Sequence, residues 1–126
     1  MTPLVTPIYA FALTVLLIAL SVNVIRFRRA NRIALGDAAN PVLIGRMRAQ
    51  ANFVEYAPIG VLLMLLAELA GTSAVWLHAV GICLLAGRLV HAWHMTLAPK
   101  TFVLRPVGIG LTFIALLAAA ILALPL

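Results

Sequence analysis

Four apolar stretches, at residues 3–25, 41–70, 73–95 and 106–124, occupy most of this chain and are separated by short polar or basic connections. About 20 consecutive apolar residues are needed to cross the hydrocarbon core of a bilayer. Inside lipid a segment must satisfy its own backbone hydrogen bonds, which a helix does without help from its neighbours. The pattern therefore predicts an all-α protein, an integral membrane four-helix bundle forming a single domain over residues 1–126. A hydrophobic content of 65%, against roughly 45–50% in soluble domains, leaves little chain for anything outside the membrane. The first stretch has no basic residue before it and exceeds the roughly 7–15 apolar residues of a cleaved signal, so it reads as a retained helix.

The net charge of +6 would suit nucleic acid if the bases were clustered on a soluble face, but they are not. Arg26, Arg28, Arg29 and Arg32 follow the first stretch, and Arg46 and Arg48 open the second. Arg88 falls late in the third, while Lys100 and Arg105 flank the last connection. The turn "AGTSAV" between the second and third stretches has none. By the bias of Lys and Arg toward cytoplasmic loops, the 1–2 and 3–4 loops are expected inside and both termini outside. The compact loops point to a bacterial inner membrane, with the lipid bilayer as partner and no nucleic acid.

Boundaries carry their own signals. Asn40 followed by Pro41 is an N-cap with proline at the first helical position. Gly71 suits the position after a helix end, and Thr72 or Ser73 can cap the next helix. Pro58 removes one intrahelical hydrogen bond and can kink its helix as a packing device. Cys83 lies mid-way along the third stretch and reads as a small packing residue. His78, His94, Trp76 and Trp93 near segment ends read as interfacial anchors, and no histidine, cysteine and carboxylate spacing suggests a metal site.

The second stretch opens with "RMRAQANFVEYAP", residues 46–58, whose polar content is out of place in lipid. Residues on a helix turn by about 100° each, so Arg48, Asn52 and Glu55 share a face. Arg88, His91 and Met95 share a face of the third helix. Counted from the turn between the helices, Glu55 is 16 residues from Gly71 and Arg88 is 15 from Ser73, so the two lie level. Intramembrane charges are costly, roughly 2.5–3.5 kcal/mol each at a helix centre, and face a partner or an aqueous cavity. A Glu55–Arg88 pair serving only as interhelical glue is one reading. A polar pocket at the basic end of the bundle also accounts for Arg48, Gln50, Asn52 and His91. Tyr56 and Gln50 point away from the main stripe, which hints at a site shared between neighbouring chains.

Several arginines beside one carboxylate suit a small ligand carrying more than one carboxylate and an ammonium, because the guanidinium fork binds carboxylates in a bidentate manner. A thiol on such a ligand, with an ordinary pKa of about 8.5, would gain nucleophilicity from a nearby arginine.

The segment "RAQANFVEYAP", residues 48–58, resembles the second-helix signature of the MAPEG family, the membrane-associated proteins in eicosanoid and glutathione metabolism. The form R-A-Q-x-N-x-x-E-Y-x-P is that of leukotriene C4 synthase. "RRAN" at 28–31 is similar to the arginine pair that ends its first helix, and "RLVH" at 88–91 resembles the R-V-A-H of microsomal prostaglandin E synthase. The resemblance implies a homotrimer binding glutathione between subunits, with a lipophilic small-molecule substrate entering from the bilayer, in a transferase or peroxidase acting on electrophiles or hydroperoxides. It places Arg28, Arg48, Gln50, Asn52, Glu55, Tyr56, Arg88 and His91 around glutathione. It gives Arg105 the catalytic role of stabilising the thiolate, with Lys100 as the runner-up. Met95 stands where relatives often carry a ligand-binding tyrosine. The alternative function is that of a non-enzymatic lipid- or ligand-binding member of the same family. A small multidrug transporter of similar length would want a carboxylate in the first helix, and there is none.

Overall fold

A computed structural model describes residues 2–97 and 103–125. It contains four helices in chain order: α1 (Thr6–Ala30), α2 (Pro41–Leu69), α3 (Ala74–Leu97) and α4 (Leu104–Leu122). All four are long and apolar enough to cross a membrane, and no strand occurs among the described residues. The chain is a four-helix membrane protein, as its four apolar stretches predict.

Helix ends follow local chemistry. Asn40 caps α2, its Oδ1 accepting from the amides of Val42 at 2.9 Å and Leu43 at 3.1 Å, with Pro41 at the first position where no N–H is missed. At the other end of α2, Gly71 adopts φ +93°. The Gly71 amide donates to the Glu68 carbonyl and that of Thr72 to the Ala67 carbonyl, the paired bonds of a Schellman stop. Several boundaries shift from expectation by one to five residues, and two of the shifts have a clear local cause. α1 continues through its arginines to Ala30 rather than stopping at residue 25, because arginine is a good helix former and nothing before Asn31 breaks the ladder. α4 begins at Leu104 instead of Pro106; first-turn amides have no intrahelical acceptor, so the proline sits within that turn without cost. α2 likewise remains helical through Pro58.

α2 and α3 form the central pair, with α1 and α4 on opposite sides of it; among the described residues α1 and α4 make no close backbone approach. The core is built from Leu13, Leu20, Phe53, Met64, Leu77, Leu84 and Ala115. Large side chains such as Phe11, Trp76 and Leu117 stand 72%, 62% and 65% exposed, an arrangement that suits lipid as solvent rather than water.

Small residues set how close the helices come. A Cβ on Gly87 would stand 2.9 Å from the Gly108 carbonyl oxygen and 2.7 Å from Thr112 Oγ1, and one on Gly108 would stand 2.8 Å from the His91 nitrogen. α3 and α4 therefore meet backbone to backbone, as small residues permit in membranes. That approach brings the α4 hydroxyl of Thr112 within reach of Arg88.

At the opposite end, Glu68 from the last turn of α2 is buried against the start of α1. Its carboxylate accepts the amides of Leu4 and Val5 at 2.7 Å and of Thr6 at 2.8 Å. Nearby, the Tyr9 hydroxyl lies 2.9 Å from His78 Nδ1 and 3.2 Å from the His78 carbonyl. Trp76 and Trp93 are exposed near helix ends as interfacial anchors should be, but His94 is buried. It faces the protein interior, so the anchor reading fails for that residue. Cys83 is half-buried, its thiol donating to the Leu111 carbonyl at 3.2 Å.

Candidate functional site

Arg88 is the largest side chain fully buried in the bundle, only 1% exposed. Its Nε donates to Thr112 Oγ1 at 2.9 Å, and Nη1 donates to Asn52 Oδ1 at 2.6 Å. The guanidinium also stands 5.6 Å from the centroid of the Tyr56 ring, a cation–π contact, and Tyr56 meets Phe113 edge-on at 5.4 Å. Thr112 is in turn held by donating to the Gly108 carbonyl at 2.8 Å. Three helices thus clamp one charge. The remaining nitrogen, Nη2, is buried with no hydrogen-bond partner.

This geometry corrects two expectations. Arg88 pairs with Asn52 and not with Glu55, which is exposed. Counting residues gives depth but not direction: Glu55 lies about 60° round α2 from Asn52 and about 100° from Tyr56, so it turns outward while the other two face α3. For the same reason Tyr56 belongs with the Asn52 face and does not point away from it. The Arg88–Asn52 bond spans the two stripes, and Arg48, Glu55 and Arg105 are the candidates exposed on the outer surface of this flank.

His91 is buried in α3, three residues beyond Arg88, where a Cβ on Gly108 of α4 would stand 2.8 Å from its backbone nitrogen. Arg48 and Arg105 are exposed, the latter in the first turn of α4. Lys100 lies outside the described residues. One flank of the chain therefore gathers Arg48, Asn52, Glu55, Tyr56, Arg88, His91 and Arg105.

Arg28 and Gln50 are elsewhere. Gln50 lies about 160° round α2 from Asn52 and donates to Ser21 Oγ of α1 at 2.9 Å. Arg28 donates to the Gly36 carbonyl at 2.7 Å and contacts Met47 Sδ at 3.4 Å. Both line a groove between α1 and α2 with Val24, Ala51 and Val54. A single chain thus carries two separate sets of the candidate residues, on opposite flanks of α2.

Thr112 was not among the candidates, although it is what fixes Arg88 from α4; a lone hydroxyl in an otherwise apolar helix, four residues beyond Gly108, is the signal that marks it. Glu68 was missed as well. Its acceptors' role depends on a contact across 62 to 64 residues of sequence, which no local pattern reveals.

The sequence pattern of the MAPEG family matches residues 6–125. The chain belongs to the MAPEG family. Among known MAPEG-like proteins it is 38% identical to inner membrane protein YecN of Escherichia coli K12 over 114 residues, covering 90% of this chain and 86% of that protein. The YecN protein of Escherichia coli O6:H1 matches to the same extent. No solved structure matches this MAPEG chain significantly.

Proposed function

We propose that this MAPEG protein is a glutathione-dependent transferase or peroxidase, acting on lipophilic electrophiles or hydroperoxides at the membrane. The observation that carries the reading is the placement of two exposed arginines, Arg48 and Arg105, and an exposed carboxylate, Glu55, around the point where Arg88 ties α3 to Asn52 of α2 and Thr112 of α4. Such a patch has surplus positive charge for two ligand carboxylates and one acidic group for an ammonium, which is the charge layout of glutathione. Arg88 itself is too enclosed to be a direct contact and acts as the anchor that orients Asn52 and Tyr56 toward the ligand.

The division of candidates between two flanks supports a ring. Arg28 and Gln50 on one flank and the Arg48–Arg105 cluster on the other cannot meet in one chain, but a head-to-tail cyclic assembly brings the first set of one subunit to the second set of the next. The family resemblance supports a homotrimer with three sites as that ring. The relative named as an inner membrane protein supports the same location here, and the arginine placement supports cytoplasmic 1–2 and 3–4 loops.

Glutathione, when bound, supplies the thiol nucleophile. Arg105, exposed at the start of α4, holds a positive charge that favours the deprotonated thiol. Arg48, Asn52 and Glu55 would hold the ligand's polar ends, and the ligand would supply its thiol to a substrate dissolved in the adjoining lipid. This is catalysis by proximity and charge stabilisation.

Calorimetric titration of glutathione into the purified oligomer tests the reading. Arg48→Ala and Glu55→Gln are each expected to weaken binding roughly tenfold or more, the loss of one charge-assisted contact. No saturable binding by folded, oligomeric protein would remove glutathione from the account. Arg105→Ala is expected to keep binding and lose about 100-fold in turnover of a lipophilic electrophile. Unchanged turnover would take Arg105 out of the mechanism, and binding without any thiolate formation in the wild-type protein would favour the non-enzymatic ligand-binding reading.

A further inference from the structure

One groove in the chain lies away from the glutathione candidates. It lies between α1 and α3 at the arginine-rich end, with a volume of about 910 Å³, and none of the residues placed around glutathione lines it. Its inner walls are Leu16 and Leu20 of α1 and Leu89 and Trp93 of α3, and its mouth carries Arg26 and Arg46. No acidic side chain lines it.

Arg46 reaches into the groove from the first turns of α2. Its Nη1 donates to the Asn23 carbonyl at 3.2 Å, its guanidinium stacks 4.8 Å from the Phe27 ring centroid, and its Nε is buried without a partner. The guanidinium is thus held in place by neutral groups while its charge stays unbalanced. Arg26 is exposed beside it. From Leu16 to Arg26 the groove runs ten residues of helix, about 15 Å, which is half of the roughly 30 Å hydrocarbon core. An apolar trough one leaflet deep, ending in two cations, complements an amphiphile with acyl chains and an anionic head. Basic recesses between membrane helices are suited to such heads.

We propose that this groove seats a bilayer phospholipid with an anionic headgroup, its phosphate between Arg26 and Arg46 and an acyl chain along Leu16, Leu20, Leu89 and Trp93. The inference does not depend on glutathione binding, and its test contains none.

The experiment is native mass spectrometry of the delipidated, detergent-purified oligomer, titrated with phosphatidylglycerol or with phosphatidylcholine of the same chains. The wild-type protein is expected to retain phosphatidylglycerol at least tenfold better. R26Q and R46Q should each reduce that preference severalfold, whereas R32Q, which removes the same charge from the loop after α1, should leave it intact. A19W adds bulk at an exposed position on the groove wall and should reduce retention of both lipids with the charge unchanged. Equal loss in R32Q and R46Q would reduce the effect to general attraction by the basic cluster and overturn the proposal. So would an A19W protein that binds lipid normally but no longer forms the oligomer, since the groove would then hold a neighbouring copy.

Discussion

Glu68→Ala is expected to destabilise the protein by about 4 kcal/mol. The Glu68 carboxylate accepts three consecutive amides at the start of α1, at 2.7, 2.7 and 2.8 Å. Hydrogen bonds to a charged group contribute about 1.5–3 kcal/mol each, and a negative charge at a helix N-terminus adds to them. The sum is trimmed because Leu4 is exposed and its amide can turn to water once released. Alanine leaves the amides of Val5 and Thr6, both buried residues, without an acceptor. It also unfastens the start of α1 from the last turn of α2, which the Glu68 carboxylate ties together. Thermal unfolding in detergent, followed by circular dichroism, should show a fall of more than about 10 °C. Glu68→Gln should lose about half as much, because its amide retains one carbonyl oxygen but turns an N–H₂ toward donors. A fall of only a degree or two in the alanine variant would mean that the α1 terminus is served by water and that the carboxylate is not a fastening.

That fastening could not be read from the chain in order, and the reason separates what was legible from what was not. A membrane sets helix length from outside, so the four apolar stretches translate directly into α1 to α4. The caps at Asn40 and Gly71 are local, their partners lying within five residues, and they too are visible in sequence. Arg88 shows where legibility ends. Its depth follows from counting, which correctly sets it near the polar stripe of α2. Its partner depends on the rotation of α2 about its own axis and on how closely α4 approaches through Gly87 and Gly108. Those are tertiary facts, and they select Asn52, Tyr56 and Thr112 over Glu55. The split between the Gln50 flank and the Asn52 flank was half visible, because a 160° separation on one helix already implies two neighbours. Only the Gln50–Ser21 bond shows that α1 of the same chain is one of them.

The Arg88–Asn52 link offers the means of separating stability from ligand binding. Asn52→Leu alone is expected to cost about 3 kcal/mol. It takes the 2.6 Å acceptor from a guanidinium that stays in the interior with Nη2 already unpartnered, and a buried charge that loses an acceptor is penalised more than a neutral group. Arg88→Met alone should cost about 1 kcal/mol, because the groups it leaves behind are neutral and Thr112 keeps its bond to the Gly108 carbonyl. The double variant removes the charge together with the group that served it, so it should cost about 2 kcal/mol, less than Asn52→Leu by itself. The coupling of about 2 kcal/mol lies within the range for residues in one polar network. Glutathione affinity should not follow this pattern. Both single variants and the double should lose it, the double by about 100-fold, because the oriented amide and the positive field disappear together. Recovery of stability without recovery of binding would assign the buried pair to ligand orientation. A double variant that binds glutathione as the wild type does would make Arg88 and Asn52 interhelical glue and move the binding site to the exposed arginines alone.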